Sequence, residues 1–133
     1  MSFAFPVRVY WEDTDAGGIV FYANYLKFFE RARTEWLRAL GLSQSSLRQE
    51  TGGIFVVGET SVKYHAPARL DDELIVTAQL REAGRASLII GQQASHKGSG
   101  QLLCEGTIRI GWVDAGSLRP ARIPATILEA LNQ

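Results

Sequence analysis

Val9-Tyr10-Trp11-Glu12-Asp13-Thr14-Asp15-Ala16-Gly17-Gly18-Ile19-Val20-Phe21-Tyr22-Ala23-Asn24-Tyr25 is the stretch on which the rest of the chain is organised. It leaves a short apolar strand, passes through an acidic loop with two adjacent glycines, and enters the one long helix that the pattern supports. Glu12, Asp13 and Asp15 fall within four positions. Asp-Ala-Gly-Gly resists both helix and strand, because glycine loses the most backbone freedom on ordering. A loop that gathers charge and then meets a helix N-terminus is the first place to look for chemistry.

On the N-terminal side, Phe5 to Trp11 reads as a strand, with Val7, Val9 and Trp11 on one face and Pro6 suited to a strand start or sheet edge. On the C-terminal side, a helix is expected over Ala23 to Leu40. Tyr25, Phe28, Phe29, Ala32, Trp36, Ala39 and Leu40 recur at spacings of three and four and form one apolar stripe. Arg31 and Glu35 stand four apart, a spacing that allows a pair. Gly41 is a natural stop, and Ser43 suits the cap of a second short helix over Ser43 to Gln49.

Beyond this the chain is strand-like. Ile54 to Ala66 places Ile54, Val56, Gly58, Thr60, Val62, Tyr64 and Ala66 on one face, leaving Phe55 and Val57 on the other. Val76, Ala78 and Leu80 alternate with polar residues, and Ala86, Leu88, Ile90 and Ala94 continue one apolar parity. Turns are expected at Gly84-Arg85 and at Lys97 to Gly100. Leu102, Cys104, Ile108, Ile110 and Trp112 mark the last long strand, and a short helix over Ala125 to Leu131 closes the chain. The fold class is therefore α+β: an antiparallel sheet with one apolar face, curled around one long helix with an aromatic stripe. No repeat or second-domain boundary interrupts residues 1–133, which read as a single domain. An uncovered sheet edge makes edge-to-edge dimerisation the expectation.

Composition narrows the function classes. Apolar residues make up 46% and charged residues 21% of the 133, an ordinary globular balance. Fourteen Lys+Arg against fourteen Asp+Glu give no broad basic surface for nucleic acid or anionic membrane. No signal peptide and no spanning segment is read, so the cytoplasm is the expected location. The single Cys104 has core parity and reads as a small apolar residue rather than a nucleophile. His65 and His96 are far apart and give no zinc-ligand spacing, so no metal is expected. Neither a G-x-S-x-G elbow nor a phosphate-binding glycine motif occurs. What remains is the acidic loop, which serves equally as a solvated turn or as a carboxylate aimed at an electrophile held by free N–H groups at the helix entrance.

At these residues the sequence resembles the hydroxybenzoyl-CoA thioesterase family of hotdog-fold proteins, nearest to the bacterial acyl-CoA thioesterases associated with the Tol–Pal envelope system. Val7 to Val20 and Asn24 to Glu35 carry the resemblance, and Tyr64, Ala66-Pro67-Ala68 and Leu70-Asp71-Asp72 extend it. It implies a hotdog fold and hydrolysis of an acyl-CoA thioester without metal or cofactor. It implies that Asp15 is the catalytic carboxylate, as nucleophile or general base, and that the Tyr22 backbone N–H polarises the thioester carbonyl. Many Tol–Pal-associated members have His where this chain has Tyr22, whereas hydroxybenzoyl-CoA enzymes have Tyr. Gly18, Asn24, Lys63, Arg69 and Arg85 are the expected substrate contacts, with Lys97 a further candidate for the CoA phosphates. A homodimer or homotetramer is implied. The alternatives are an acyl carrier protein as the acyl donor, or a catalytically silent hotdog module that binds an acyl carrier or envelope partner.

Overall fold

The aromatic stripe of the long helix needs a surface to bury it, and the sheet supplies one. In the computed structural model, which describes residues 2–132, the elements run β1 (Ser2–Arg8), α1 (Tyr25–Ala39), α2 (Gln44–Thr51), β2 (Gly53–Tyr64), β3 (Glu73–Ala83), β4 (Ser87–His96), β5 (Leu102–Asp114) and α3 (Ala125–Leu131). The strands form one antiparallel sheet in the order β1-β3-β4-β5-β2, so β1 and β2 are its edges. α1 lies across β1, β3 and β4. This is the α+β hotdog arrangement that the sequence resemblance implied. Among the described residues no helix is long and apolar enough to cross a membrane.

α1 buries Tyr25, Phe28, Phe29, Ala32, Trp36 and Leu37. Fully burying such side chains contributes about 1.5–3 kcal/mol each before ordering costs. The stripe differs from expectation at its end: Leu37 is buried and Ala39 is exposed, because the helix stops at Ala39 and the chain turns over Leu37. The stop itself is as expected. Gly41 takes φ +80°, its N–H bonds Arg38 O, and Leu42 N–H reaches back to Leu37 O at 2.7 Å. That pair of bonds satisfies carbonyls that the helix leaves open, in an αL-terminated turn. Ser43 caps α2 through its Oγ, which accepts from Ser46 N–H at 3.2 Å. Glu35 pairs with Arg38 rather than with Arg31, whose guanidinium instead lies 5.8 Å above the Phe28 ring.

β3, β4 and β5 keep the expected parities: Leu74, Val76, Ala78, Leu88, Ile90, Ala94, Cys104, Ile108, Ile110 and Trp112 are all buried. At the start of β5 it is Leu103, not Leu102, that is buried. The polar Gln92 also sits on the core face at 1% exposure. Its Nε2 donates to Phe29 O (2.9 Å) and Thr77 O (3.2 Å), and its Oε1 accepts from Arg33 Nη1 at 2.9 Å. Each polar end has a partner, so the amide ties α1 to the sheet instead of penalising it. Burial pulls the Arg33 guanidinium below its ordinary pKa, with nearby Glu30 opposing.

Two further expectations fail. β1 ends at Arg8, and Trp11 belongs to a 3-10 turn (Trp11–Asp13) where it is 79% exposed, so it does not share a face with Val7 and Val9. β2 does not keep one parity. The register slips between Val57 and Glu59, making Gly58 an extra residue. Before the bulge Phe55 and Val57 share a face with Trp112 and Ile110; after it Thr60, Val62 and Tyr64 share that same face with Ile108, Gly106 and Cys104. A bulge exchanges inside for outside along a strand, so Phe55 and Val57 lie on the Trp112 side of the sheet, where the Phe55 and Trp112 rings are 4.8 Å apart and Val57 stays exposed.

Gly53 faces the same indole, and a Cβ added there would overlap Trp112 side-chain atoms. Gly53→Ala is expected to lower unfolding free energy by about 1–3 kcal/mol, read as a fall in the urea midpoint with unchanged slope.

Candidate active site

The three carboxylates of the acidic loop meet different fates. Asp13 is buried at 3% exposure, and both its oxygens are taken: Oδ1 accepts from Asn24 Nδ2 and Oδ2 from Tyr10 N–H, each at 2.8 Å. Its carbonyl also accepts from Phe21 N–H at 2.9 Å. Glu12 is exposed. Asp15 is exposed as well; its Oδ1 accepts from Gly17 N–H at 2.8 Å and its Oδ2 has no protein partner among the described residues. Of the three, only Asp15 combines a fixed position with a free oxygen.

The loop is closed by its own backbone. Asp15 N–H bonds Ile19 O, Gly18 N–H bonds Asp15 O, and Thr14 bridges Val20. Gly18 takes φ +79°, a conformation that favours glycine. Val20 N–H then bonds Ala68 O, Ile19 bridges Arg69, and Ala68 N–H donates to the Tyr25 hydroxyl at 3.3 Å. The Ala66-Pro67-Ala68 segment therefore packs between the loop and the start of α1.

A 3-10 turn, Tyr22–Asn24, leads into α1, and Asn24 N–H bonds Phe21 O. The N–H groups of Tyr22 and Ala23 have no acceptor among the described residues. The first N–H groups of a helix lack internal partners and suit a developing negative charge. Asn24, expected as a substrate contact, is 6% exposed, makes no cap bond, and has its Nδ2 committed to Asp13.

Tyr64 approaches this entrance from the end of β2. Its hydroxyl donates to Tyr22 O at 2.8 Å, its ring stands edge-on to Tyr22 at 6.4 Å, and it lies 5.8 Å from the Tyr25 ring. Ile19, Val20, Tyr22, Tyr25, Tyr64 and Pro67 line a largely apolar hollow of about 280 Å³ beside the turn. Sequence reading did not single out Tyr64 for this; the glycine in mid-strand at Gly58 was the available signal that parity would change.

The expected basic contacts disperse. Arg69 is exposed next to the loop through its bridge to Ile19. Lys63 faces away from α1, in a polar hollow with Ser61, Arg81, Gln93, Glu105 and Thr107. Arg85 is in the β3–β4 turn, whose neighbours on β5 and β2 are Gly111 and Val56, at the opposite end of the sheet from Tyr64. Eight strand residues, about 25 Å, separate the two ends, so within one chain Arg85 is not beside the loop. Lys97 pairs with Glu73 at 3.0 Å. His96 Nδ1 accepts from Ser99 N–H, which leaves the proton on Nε2, 3.5 Å from Asp72. His65 Nε2 lies 3.8 Å from Glu105. Among the described residues no cluster of His, Cys, Asp or Glu has the makings of a metal site.

The sheet wrapped on one helix, with an acidic loop at the helix entrance, defines a hotdog domain of thioesterase type. A family model described as the thioesterase-like superfamily matches residues 9–131, and the chain belongs to that family. It is 41% identical over 131 residues to the "Acyl-CoA thioesterase YbgC" of Haemophilus influenzae, covering 98% of this chain and 95% of that one. The corresponding protein of Helicobacter pylori is 31% identical over 132 residues, covering 94% and 96%. The fold also superposes with a TM-score of 0.90 on a crystal structure of a 4-hydroxybenzoyl CoA thioesterase variant complexed with 4-hydroxybenzoyl CoA, at 23% identity over 98% of both chains.

Asp13→Ala strips the acceptors from the Asn24 amide and Tyr10 N–H, and is expected to cost about 2–4 kcal/mol of stability by chemical denaturation. Burial pushes the Cys104 thiol up to about 12. The reactive thiolate is therefore scarce at pH 8, and a disulfide reagent should titrate no thiol in the native protein but one after unfolding.

Proposed function

We infer that this protein hydrolyses acyl-CoA thioesters, with Asp15 as the catalytic carboxylate and the Tyr22 backbone N–H as the group that polarises the carbonyl. The observation that carries the assignment is the division of labour in the loop: Asp13 is buried and fully hydrogen-bonded, while Asp15 is exposed with one free oxygen, on a loop tied at Thr14 and Val20 to the segment that enters the helix. The similarity over nearly the whole chain to curated acyl-CoA thioesterases supports the reaction class.

Two routes are open to Asp15. As nucleophile, it attacks the carbonyl carbon, the thiolate of CoA leaves and takes up a proton, and water hydrolyses the resulting anhydride. As general base, it takes a proton from water, whose oxygen attacks as the thiolate departs. Both routes build negative charge on the carbonyl oxygen, where a pre-oriented N–H acts more strongly than on the ground-state carbonyl. Gly18 supplies the left-handed turn of the loop, a side chain at Gly17 would crowd Asp15 Oδ1 at 3.2 Å, and Arg69 is the cation best placed for the CoA portion. No metal or cofactor enters either route. The unpaired edge of β2, twelve residues long with Val56 and Val57 exposed, supports assembly into a homodimer or a larger homo-oligomer.

Asp15→Asn preserves shape but removes both nucleophile and base. It is expected to lower kcat by at least about a hundredfold in an assay of CoA release across aliphatic and aromatic acyl-CoA substrates, with acyl-CoA binding and thermal stability retained. An undiminished rate would overturn the assignment.

A further inference from the structure

We propose that Tyr64 is a positioning residue for the reaction: its hydroxyl, bonded to the Tyr22 carbonyl, fixes the turn that presents the Tyr22 N–H to the thioester. The inference rests on the reading of Tyr22 given above and names a second residue on which that site depends.

The Tyr22–Asn24 turn is held on one side by Asp13, through Phe21 N–H and the Asn24 amide. On that side the peptide that carries the Tyr22 N–H is held through Phe21 O, which accepts from Asn24 N–H at 2.8 Å, while the Tyr22 side chain is exposed and its N–H is open. The only side-chain hydrogen bond to its peptide groups among the described residues comes from Tyr64, 42 residues along the chain, at 2.8 Å. The Tyr64 ring is steadied by Tyr25, and Tyr25 is fixed in turn by the Ala68 N–H. Burial raises the Tyr64 pKa, so the hydroxyl keeps its proton and stays a donor through neutral pH. Tyr64 holds the Tyr22–Ala23 peptide and the Asn24 N–H holds the Phe21–Tyr22 peptide, so the planes on both sides of the Tyr22 Cα are fixed only while both bonds are made. The oxyanion donor then needs no reorganisation as charge develops. Tyr64 does not touch the reacting atoms in this account; it acts through the backbone of Tyr22.

Tyr64→Phe removes the hydroxyl and keeps the ring contacts, so it is expected to fold, with its melting temperature lowered by no more than about a few degrees. It should lower kcat about fivefold, the size expected for one lost hydrogen bond, with KM unchanged, since an interaction realised in the transition state alters kcat and kcat/KM together. The decisive measurement is the thioester C=O stretch of bound acyl-CoA by isotope-edited infrared difference spectroscopy, made in Asp15→Asn to prevent turnover. With Tyr64 present the stretch should shift to lower frequency than in free acyl-CoA, and with Phe at position 64 the shift should shrink. A full shift in the Phe variant, or a raised KM at constant kcat, overturns the role of Tyr64 while leaving Tyr22 as the donor. No shift even with Tyr64 in place overturns the reading of Tyr22, and the positioning role with it.

Discussion

Asp13 places a carboxylate where almost no water reaches and gives each of its oxygens a donor, the Asn24 amide and the Tyr10 N–H. An ionised carboxylate buried without partners would be prohibitively costly, and one with two good donors is instead a strong local constraint. Its backbone carbonyl takes the Phe21 N–H as well. The turn after β1 and the turn before α1 are thereby joined at one residue. The loop between them, with Asp15 on it, has no freedom to drift from the helix entrance. The helix, for its part, enters with the Tyr22 and Ala23 N–H groups unfilled, and Asn24, whose Nδ2 donates to Asp13, makes no cap bond.

The second constraint comes from the sheet. α1 fills the inner face of the sheet with aromatic side chains, and one polar contact, Gln92 with Arg33, Phe29 O and Thr77 O, sets how the two layers sit on each other. At the edge, the extra residue in β2 decides which side chains meet the catalytic turn. Had β2 kept the parity of Phe55 and Val57 to its end, Ser61, Lys63 and His65 would face α1. The slip at Gly58 turns Thr60, Val62 and Tyr64 inward. The Tyr64 ring and hydroxyl therefore adjoin Tyr22, with Tyr25 and His65 in the same hollow, while Lys63 points to the other face of the sheet.

Much of this was legible from residue order. The helix, its stop at Gly41 and the cap at Ser43 follow from local rules, and the inner faces of β3, β4 and β5 from simple alternation. Trp11 misled because a large aromatic two positions after Val9 fits a strand pattern, whereas the Asp13 bonds pull that segment into a 3-10 turn. Arg31 was matched with Glu35 on spacing, but the Phe28 face and Arg38 competed for the same charges. Gln92 gave no sign of burial, since a polar residue at a core position is recognisable only once its partners on α1 and β3 are in place.

The sequence by itself determined the α+β hotdog class, the placement of an acidic, glycine-bearing loop before the long helix, and the thioesterase family, because these depend on periodicity and on contiguous motifs. Only the tertiary structure decided that Asp13 is consumed in holding the turn, that Asp15 keeps a free oxygen, that Tyr64 reaches Tyr22, and that Arg85 lies at the far end of the sheet. Those outcomes rest on burial and on contacts between residues far apart in the chain, 42 positions for Tyr64 and Tyr22. One added residue in a strand, or one buried donor, reassigns them without changing any local pattern.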